Sequence, residues 1–267
     1  MDKQILYTIG YTLFQTRDGI DVEKLFNTLK EQGITHLVDV RSIPYSKQFP
    51  QCNAENLKLA GKRFGIPYIH IPELGAKVDN TQDVFSKASD IFFENIFPIS
   101  KSNRPEKTEL NSNDEIVDFQ KFRDNDLFLD GIKRIETAYN KNFTLALMCS
   151  EKRPVECHRF FFVSKKIEQK YGDWIEIKHI TINPEGKIDT ISNKELARTL
   201  SETVFSKAEI KKLNILESDI FGEAKISKYN GQSIQEKIDD FCDRYWNLMH
   251  GWKRTTSINH YNSTDYD

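Results

Sequence analysis

The sequence predicts an α/β fold: a mostly parallel sheet with helices on both faces, plus a polar insertion and a helical C-terminal extension. Three observations carry that expectation. Short β-favouring apolar runs alternate with stretches of helical period over residues 4–180, the order that a parallel sheet with crossover helices requires. The alternation fades between about residues 76 and 125, where the chain turns polar and rich in turn formers. It stops after about residue 191, where helical patterns follow one another without strands. The expected organisation is an α/β core over residues 1–191, carrying the insertion, and a helical extension over residues 192–267.

Residues 4–9 (QILYTI) are a compact β-favouring run that stops at Gly10, a first strand. Asp21 caps a helix whose apolar Val22, Leu25, Phe26 and Leu29 recur at helical spacing, with Gly33 as its stop. Residues 35–40 (THLVDV) form a second strand, followed by a loop with Arg41, Pro44 and Ser46. Asn53 caps a segment that reaches Phe64 and closes at Gly65, and residues 67–71 (PYIHI) are a third strand, broken by Pro72. Two polar stretches (KVDNTQD and SKSNRPEKTELNSND) then flank an aromatic island at residues 91–97. A structureless stretch of that length is uncommon inside a compact domain, so it reads as a partly helical insertion or lid over the sheet edge.

Asp126 opens the next helix, with Leu127, Phe128, Ile132, Ile135 and Tyr139 assigned to one face. Residues 143–148 are the fourth strand, residues 154–171 a helix starting at Pro154, and residues 174–180 a fifth strand. Residues 193–205, 206–220 and 233–252 read as helices. The last places Ile234, Ile238, Phe241, Tyr245 and Leu248 on one amphipathic face, suited to the core or to a second copy of the chain in a homodimer.

Of the 267 residues, 29% are charged and 38% apolar, an ordinary balance for a folded chain. A net charge of −2 gives no support to non-specific nucleic-acid binding, which needs a basic face, though it leaves room for a local basic pocket. No apolar run approaches the roughly 18–20 residues of a membrane span. The N-terminus (MDKQI) lacks the features of a signal peptide. Four irregularly spaced cysteines (Cys52, Cys149, Cys157, Cys242) are too few for a disulfide framework. A reduced, cytoplasmic protein without membrane contact is the expectation.

In a parallel sheet, ligands bind outside the carboxyl ends of the strands. Four strands here end in chemically capable residues: Gly10-Tyr11-Thr12, Asp39-Val40-Arg41, His70-Ile71-Pro72 and Cys149-Ser150-Glu151. The densest stretch is residues 143–159 (FTLALMCSEKRPVECHR), with two thiols, a carboxylate, an imidazole and a guanidinium around one strand-to-helix turn. Proline is favoured at a first helical position, so Pro154 is expected to place Val155, Glu156 and Cys157 in a first turn. The free amides of such a turn attract anions and depress the pKa of a nearby thiol.

Plainer readings stand beside these. Cys149 and Cys157 serve equally as core thiols, Asp39 and Arg41 as a structural ion pair, Tyr11 and Tyr68 as core aromatics, and Arg159 as a partner of Asp39 or Glu151. The spacing Cys149…Cys157-His158 does not match the short C-x-x-C pairs of zinc sites, and a metal site would need Cys52 or His70 as well. No metal and no cofactor is expected.

Four segments resemble the DUF 488 family (domain of unknown function 488). They are the Thr8-Ile9-Gly10-Tyr11-Thr12 strand end, Asp39-Val40-Arg41 with Pro44 and Ser46, Tyr68-x-His70 with Leu74-Gly75, and Cys149-x-Glu151…Cys157-His158-Arg159. Their order and spacing agree over about residues 5–180, apart from the insertion. The resemblance implies an α/β domain and no settled activity. Family members typically carry a His where Tyr11 stands; if that His is a general base or ligand in relatives, this chain either uses His70 or His158 instead or has altered chemistry.

The leading functional expectation is an enzyme acting on a nucleotide, a nucleic-acid base or another phosphorylated substrate. Asp39, Glu151, Cys149 and His158 are the catalytic candidates. Tyr11, Thr12, Arg41, Ser46, Tyr68, His70, Cys157 and Arg159 are the substrate-binding ones. A Cys nucleophile would follow phosphatase or rhodanese logic. Arg153 sits only four residues after Cys149, however, which departs from the Cys-x5-Arg spacing and favours a carboxylate-centred mechanism with Arg41 and Arg159 as clamps. The expected partner is an anionic small molecule or nucleic acid. The alternatives are a non-catalytic nucleic-acid- or protein-binding module using Tyr245, Trp246, Trp252, Lys253 and Arg254, or a redox sensor built on Cys149 and Cys157.

Overall fold

The computed structural model describes residues 3–78, 83–87, 115–204 and 242–243. Its first strand, β1 (Gln4–Gly10), runs into one 3-10 turn, Tyr11–Phe14, and a small hairpin of β2 (Gln15–Thr16) and β3 (Gly19–Ile20). Helix α1 (Val22–Glu31) is capped as its sequence predicts, the Asp21 carboxylate accepting from the Lys24 N–H at 2.9 Å. Then come β4 (His36–Asp39), α2 (Ala54–Phe64) and β5 (Tyr68–His70). Gly65 ends α2 at φ 74°, a conformation that costs glycine nothing. Asn53 precedes α2 but caps it with no side-chain bond; its Oδ1 accepts from the Ser46 N–H at 2.7 Å and ties down the incoming loop.

Within the insertion, β6 (Phe85–Lys87) pairs antiparallel with β7 (Glu115–Val117), and α3 (Phe119–Arg123) follows. The remaining elements are α4 (Asp126–Tyr139), β8 (Leu145–Cys149), α5 (Lys165–Tyr171), β9 (Ile175–Ile182), β10 (Ile188–Ser192) and α6 (Asn193–Val204). The main sheet has six strands in the order β10-β9-β1-β8-β4-β5. Every pair from β9 to β5 is parallel, and β10 alone is antiparallel. The α/β class and the mostly parallel sheet are therefore as expected.

Period-2 alternation sorts the central strands between two faces. Tyr7 and Ile9 of β1 and Ala146 and Met148 of β8 join Leu25, Phe26 and Leu29 of α1 and Leu57 of α2 in one core. Thr8 of β1 points the other way, where it meets His179 of β9, whose ring packs edge-on against Phe160. Register then aligns the strand ends: Gly10 is opposite Cys149, and Asp39 is opposite both Met148 and His70. The convergence expected at the carboxyl edge follows from these pairings.

Three expectations are corrected. Leu127 is 55% exposed, because Phe128, Ile132, Ile135 and Tyr139 form the buried stripe of α4 and Leu127 lies one step round the helix. No single helix spans residues 154–171: Pro154–Glu156 is an isolated 3-10 turn, Cys157 is extended at φ −131° and ψ 142°, and a π-helical stretch, Arg159–Ser164, leads into α5. The strand β10 was not anticipated; with Asp189 and Thr190 in it, an antiparallel edge strand offers little apolar signal.

The described residues fall into two compact units. One runs to Lys77 and resumes from Arg123 to Asn193; the other takes those between Val78 and Phe122 and those after Lys194. Segments of the insertion and of the extension thus share a unit, and inside it Gln120 Nε2 donates to Asp243 Oδ2 at 3.0 Å. The aromatic island, the helices expected at residues 206–220 and 233–252 apart from Cys242 and Asp243, their suggested role in a homodimer, and the aromatic–basic cluster lie outside the described residues. No helix among the described residues is long and apolar enough to cross a membrane.

One buried polar chain links the sheet to its flanking helices. His179 Nδ1 meets the Thr8 hydroxyl at 2.7 Å, its Nε2 meets Asn193 Oδ1 at 3.0 Å, and Asn193 Nδ2 donates to Glu168 Oε2 at 2.7 Å. Burial disfavours the imidazolium; the Asn193 bond opposes that effect, Arg159 reinforces it, and the pKa falls to about 3. The unfolded chain takes up this proton near the ordinary value of 6.5. Folded stability is therefore complete above about pH 6.5 and declines as pH falls toward 3, by up to about 1.4 kcal/mol per pH unit. Urea midpoints measured from neutral pH down to about pH 4 should show this decline, and His179→Gln should flatten it.

Candidate functional site

The carboxyl edge of the sheet is built from two adjoining groups of side chains. The first surrounds Asp39, which is fully buried. Its Oδ1 accepts from the Arg41 backbone N–H at 3.0 Å and from Arg41 Nε at 2.9 Å; its Oδ2 accepts from Arg41 Nη2 at 2.6 Å and from the Tyr68 hydroxyl at 2.7 Å. Arg41 Nη2 also donates to the Cys52 carbonyl at 2.8 Å, while Nη1 is buried and makes no hydrogen bond. The guanidinium lies 5.2 Å from the centroid of the Tyr11 ring, which packs edge-on against Phe49, whose N–H donates to Ser46 Oγ at 3.0 Å. His70 Nε2 donates to the Arg41 carbonyl at 2.7 Å, fixing the loop from the β5 side.

These bonds arise locally. A carboxylate at the last residue of β4 can reach the backbone and side chain two residues on, and β5 brings Tyr68 alongside. Burial works against the charge on Arg41, but Asp39 outweighs it and holds the guanidinium firmly protonated. Burial and Asp39 both push the Tyr68 phenol up, so it stays a donor. Burial likewise lifts the Cys52 thiol to about 12, which makes it inert near neutrality.

The second group comes from the stretch after β8. Cys149 and Cys157 are buried free thiols, and His158 stands between them, its Nδ1 3.6 Å from Cys149 Sγ and 3.7 Å from Cys157 Sγ. His158 Nε2 donates to the Val40 carbonyl at 3.0 Å, so the two groups are joined through the end of β4. Ser150 Oγ donates to Glu151 Oε1 at 2.8 Å; Glu151 Oε2 is buried and accepts no hydrogen bond. One ligand-capable atom from each of Cys149, Glu151, Cys157 and His158 lies within 4.8 Å of the other three.

Charge in this group is coupled. Burial drives the Cys149 thiol well above its ordinary range, with Cys157 and Glu151 adding to the effect and His158 opposing it. For Glu151, burial pulls upward, but His158 and the thiols of Cys149 and Cys157 hold it at about 2. Burial would lower His158; Cys149, Glu151 and the Val40 carbonyl outweigh it and raise the ring to about 9. Glu151 supplies a negative charge facing the ring, and the two form an imidazolium–carboxylate pair at neutral pH.

Arg159 is fully buried behind this group. It donates from Nη1 to the Glu151 carbonyl at 2.7 Å and from Nη2 to the Lys152 carbonyl at 3.4 Å, and its own N–H meets Cys157 Sγ at 3.4 Å. Thr12 closes the same loop from β1, its hydroxyl donating to the Ser150 carbonyl at 2.6 Å. The amide cradle expected at Pro154 does not form: Glu156 N–H bonds the Arg153 carbonyl and Cys157 N–H the Pro154 carbonyl, closing a local turn.

All the candidate residues therefore lie along one edge, though in different situations. Tyr11, Asp39, Arg41, Ser46, Tyr68 and His70 make one network; Cys149, Glu151, Cys157 and His158 make the other; Thr12 and Arg159 hold the loop between. Sequence reasoning missed the Val40 carbonyl, a backbone group that carries no residue signature, and Ser150, whose position between Cys149 and Glu151 was its only signal.

The fold and this edge define an α/β protein with a thiol, imidazole and carboxylate cluster at the end of a central parallel strand. Residues 21–98 match the family model described as domain of unknown function DUF488. The match supports the resemblance and takes in the Asp39–Arg41 and Tyr68–His70 segments; the Cys149 to Arg159 turn lies beyond it. No curated protein and no solved structure matches the chain.

Two substitutions probe the framework. A Cβ at Gly10 would stand 1.8 Å from the Glu151 carbonyl oxygen and 3.2 Å from Arg159 Nη2. Gly10→Ala must displace backbone, so it should destabilise by about 3 kcal/mol, the upper end for overpacking, as read by urea denaturation. Asp39→Asn leaves the buried Arg41 charge without its counter-ion. A loss of about 3–5 kcal/mol is expected in the same measurement, whereas a change under about 1 kcal/mol would show the pair to be solvated.

Proposed function

We propose that the protein is an enzyme whose reaction takes place at this carboxyl edge, on a nucleotide, a nucleic-acid base or another phosphorylated substrate. The observation that supports this reading is the meeting of Cys149, Glu151, Cys157 and His158 within 4.8 Å, directly beside the buried Asp39–Arg41 pair. Functional sites concentrate perturbed titratable groups, and here a thiol, a carboxylate and an imidazole are all displaced from their ordinary ranges.

The roles follow from the bonds each residue already makes. Asp39 spends both oxygens on Arg41 and Tyr68, so it positions rather than transfers protons. Arg159 spends its Nη donors on loop carbonyls and shapes the site from behind. Arg41 keeps Nη1 without an acceptor and is the cation that an anionic group would meet. Glu151 and His158 are the groups able to exchange protons or ligands with a substrate.

Equilibrium binding of phosphate, nucleoside monophosphates and short oligonucleotides, followed by product analysis on those that bind, tests the reading. The unsubstituted protein should bind and convert at least one class. Glu151→Gln should keep binding while turnover falls by roughly 10²–10⁴, the usual scale for losing a proton-transfer group. Negligible binding of every class by the unsubstituted protein would sink the proposal.

A further inference from the structure

We infer that Cys149, Cys157, His158 and Glu151 form a binding site for one tetrahedral divalent transition metal of the zinc class. A metal bonded to sulfur at ~2.3 Å and to nitrogen at ~2.0–2.1 Å in a tetrahedron sets its S···N edges at ~3.5–3.6 Å. The two S···N distances here are 3.6 and 3.7 Å. Nδ1 offers a single hydrogen-bonding position, proton or lone pair, yet two sulfurs face it at almost equal range. A cation shared by all three accounts for both.

The surroundings agree with coordination. The Nε2 donation to the Val40 carbonyl leaves Nδ1 free for the metal, the outer-shell bond that metal-bound histidines make. The Arg159 N–H is directed at Cys157 Sγ at 3.4 Å, an outer-shell bond that a metal-bound sulfur accepts. Ser150 occupies one oxygen of Glu151 and orients the carboxylate, so that the other, buried and unbonded, is available as the fourth donor. Two thiolates, an imidazole and a carboxylate suit zinc and exclude the oxygen-seeking Mg²⁺ and Ca²⁺. Binding releases both thiol protons and the Nδ1 proton of the imidazolium to solvent. Cys149 and Cys157 are buried deeper than Glu151, so Glu151 is the ligand that water or a substrate oxygen can displace. In that arrangement the metal supplies the Lewis acid for the edge.

This deepens the proposed catalytic reading of the same cluster; it rests on the location of that site and is independent of the substrate. The full-length protein, purified under reducing conditions and stripped with a chelator, is titrated with Co²⁺. One equivalent should bind, with a thiolate-to-cobalt charge-transfer band and the intense visible absorption of a tetrahedral site, and Zn²⁺ should abolish both by displacement. Cys157→Ser and His158→Asn, each checked for folding by circular dichroism, should weaken binding by roughly tenfold or more. Glu151→Gln should weaken it while keeping the charge-transfer band. His36→Gln, an imidazole at the far end of β4, should bind as the unsubstituted protein does. Absence of the charge-transfer band in the unsubstituted protein, or full binding by folded Cys157→Ser, overturns the metal site. Stoichiometric metal in a protein that binds none of the phosphorylated compounds overturns the substrate reading alone, and turnover by a protein that binds no Co²⁺ overturns the metal site alone.

Discussion

The guanidinium of Arg159 is the constraint on which the carboxyl edge depends. It belongs to the first residue of the π-helical stretch, yet its Nη atoms bond the carbonyls of Glu151 and Lys152, on the loop leaving β8. Those bonds fold the seven residues between Cys149 and Cys157 back on themselves, which brings the second thiol and His158 to the end of the strand that carries the first. The guanidinium fits only because Gly10 lacks a side chain: a Cβ there would collide with the Glu151 carbonyl and crowd Nη2. A fully buried charge that finds carbonyls as its nearest partners is costly to desolvate. Its presence implies that the loop conformation it enforces is worth that cost.

Strand order then decides what the folded loop meets. Because β8 lies between β1 and β4, the turn after Cys149 is flanked by the Tyr11–Phe14 turn on one side and by Val40 and Arg41 on the other. Thr12 bonds Ser150 from the first side, and the Val40 carbonyl orients His158 from the second. The parallel ladder also carries Val40 N–H to the Met148 carbonyl at 3.0 Å, so the orienting carbonyl is itself held in register with the strand that bears Cys149. The imidazole is thus aimed by sheet geometry, and its direction does not depend on a mobile side chain.

Much of this edge was legible from sequence, and the illegible parts share a physical reason. Strands such as β1, β4 and β8 are covered on both faces, so they read as continuous apolar runs, and their final residues could be placed together once a parallel sheet was inferred. The pairing of Asp39 with Arg41 was visible as a two-residue separation at a strand end. The turn after Cys149 misled because proline at a helix start is a statistical preference of local sequence. Here Cys157 leaves the helical region, and its N–H closes a short turn onto Pro154 instead. β6 and β7 pair across 27 intervening residues, which no local pattern announces.

The proposed metal-ligand set has no sequence signature for the same reason, and its charge balance ties it back to Arg159. Spacing rules for zinc sites describe ligands that one tight turn holds together, whereas here an internal guanidinium brackets a longer loop and Glu151, not Cys52 or His70, supplies the fourth atom. A divalent cation on two thiolates, a neutral imidazole and a carboxylate carries one excess negative charge. Arg41 cannot offset it, because Asp39 already neutralises Arg41 at 2.6 Å. Arg159, with Nη1 4.0 Å from Glu151 Oε2 and its backbone N–H on Cys157 Sγ, is the buried cation placed to do so. The residue that shapes the loop therefore also supplies the charge that a loaded site lacks, which gives its burial an electrostatic as well as a geometric reason.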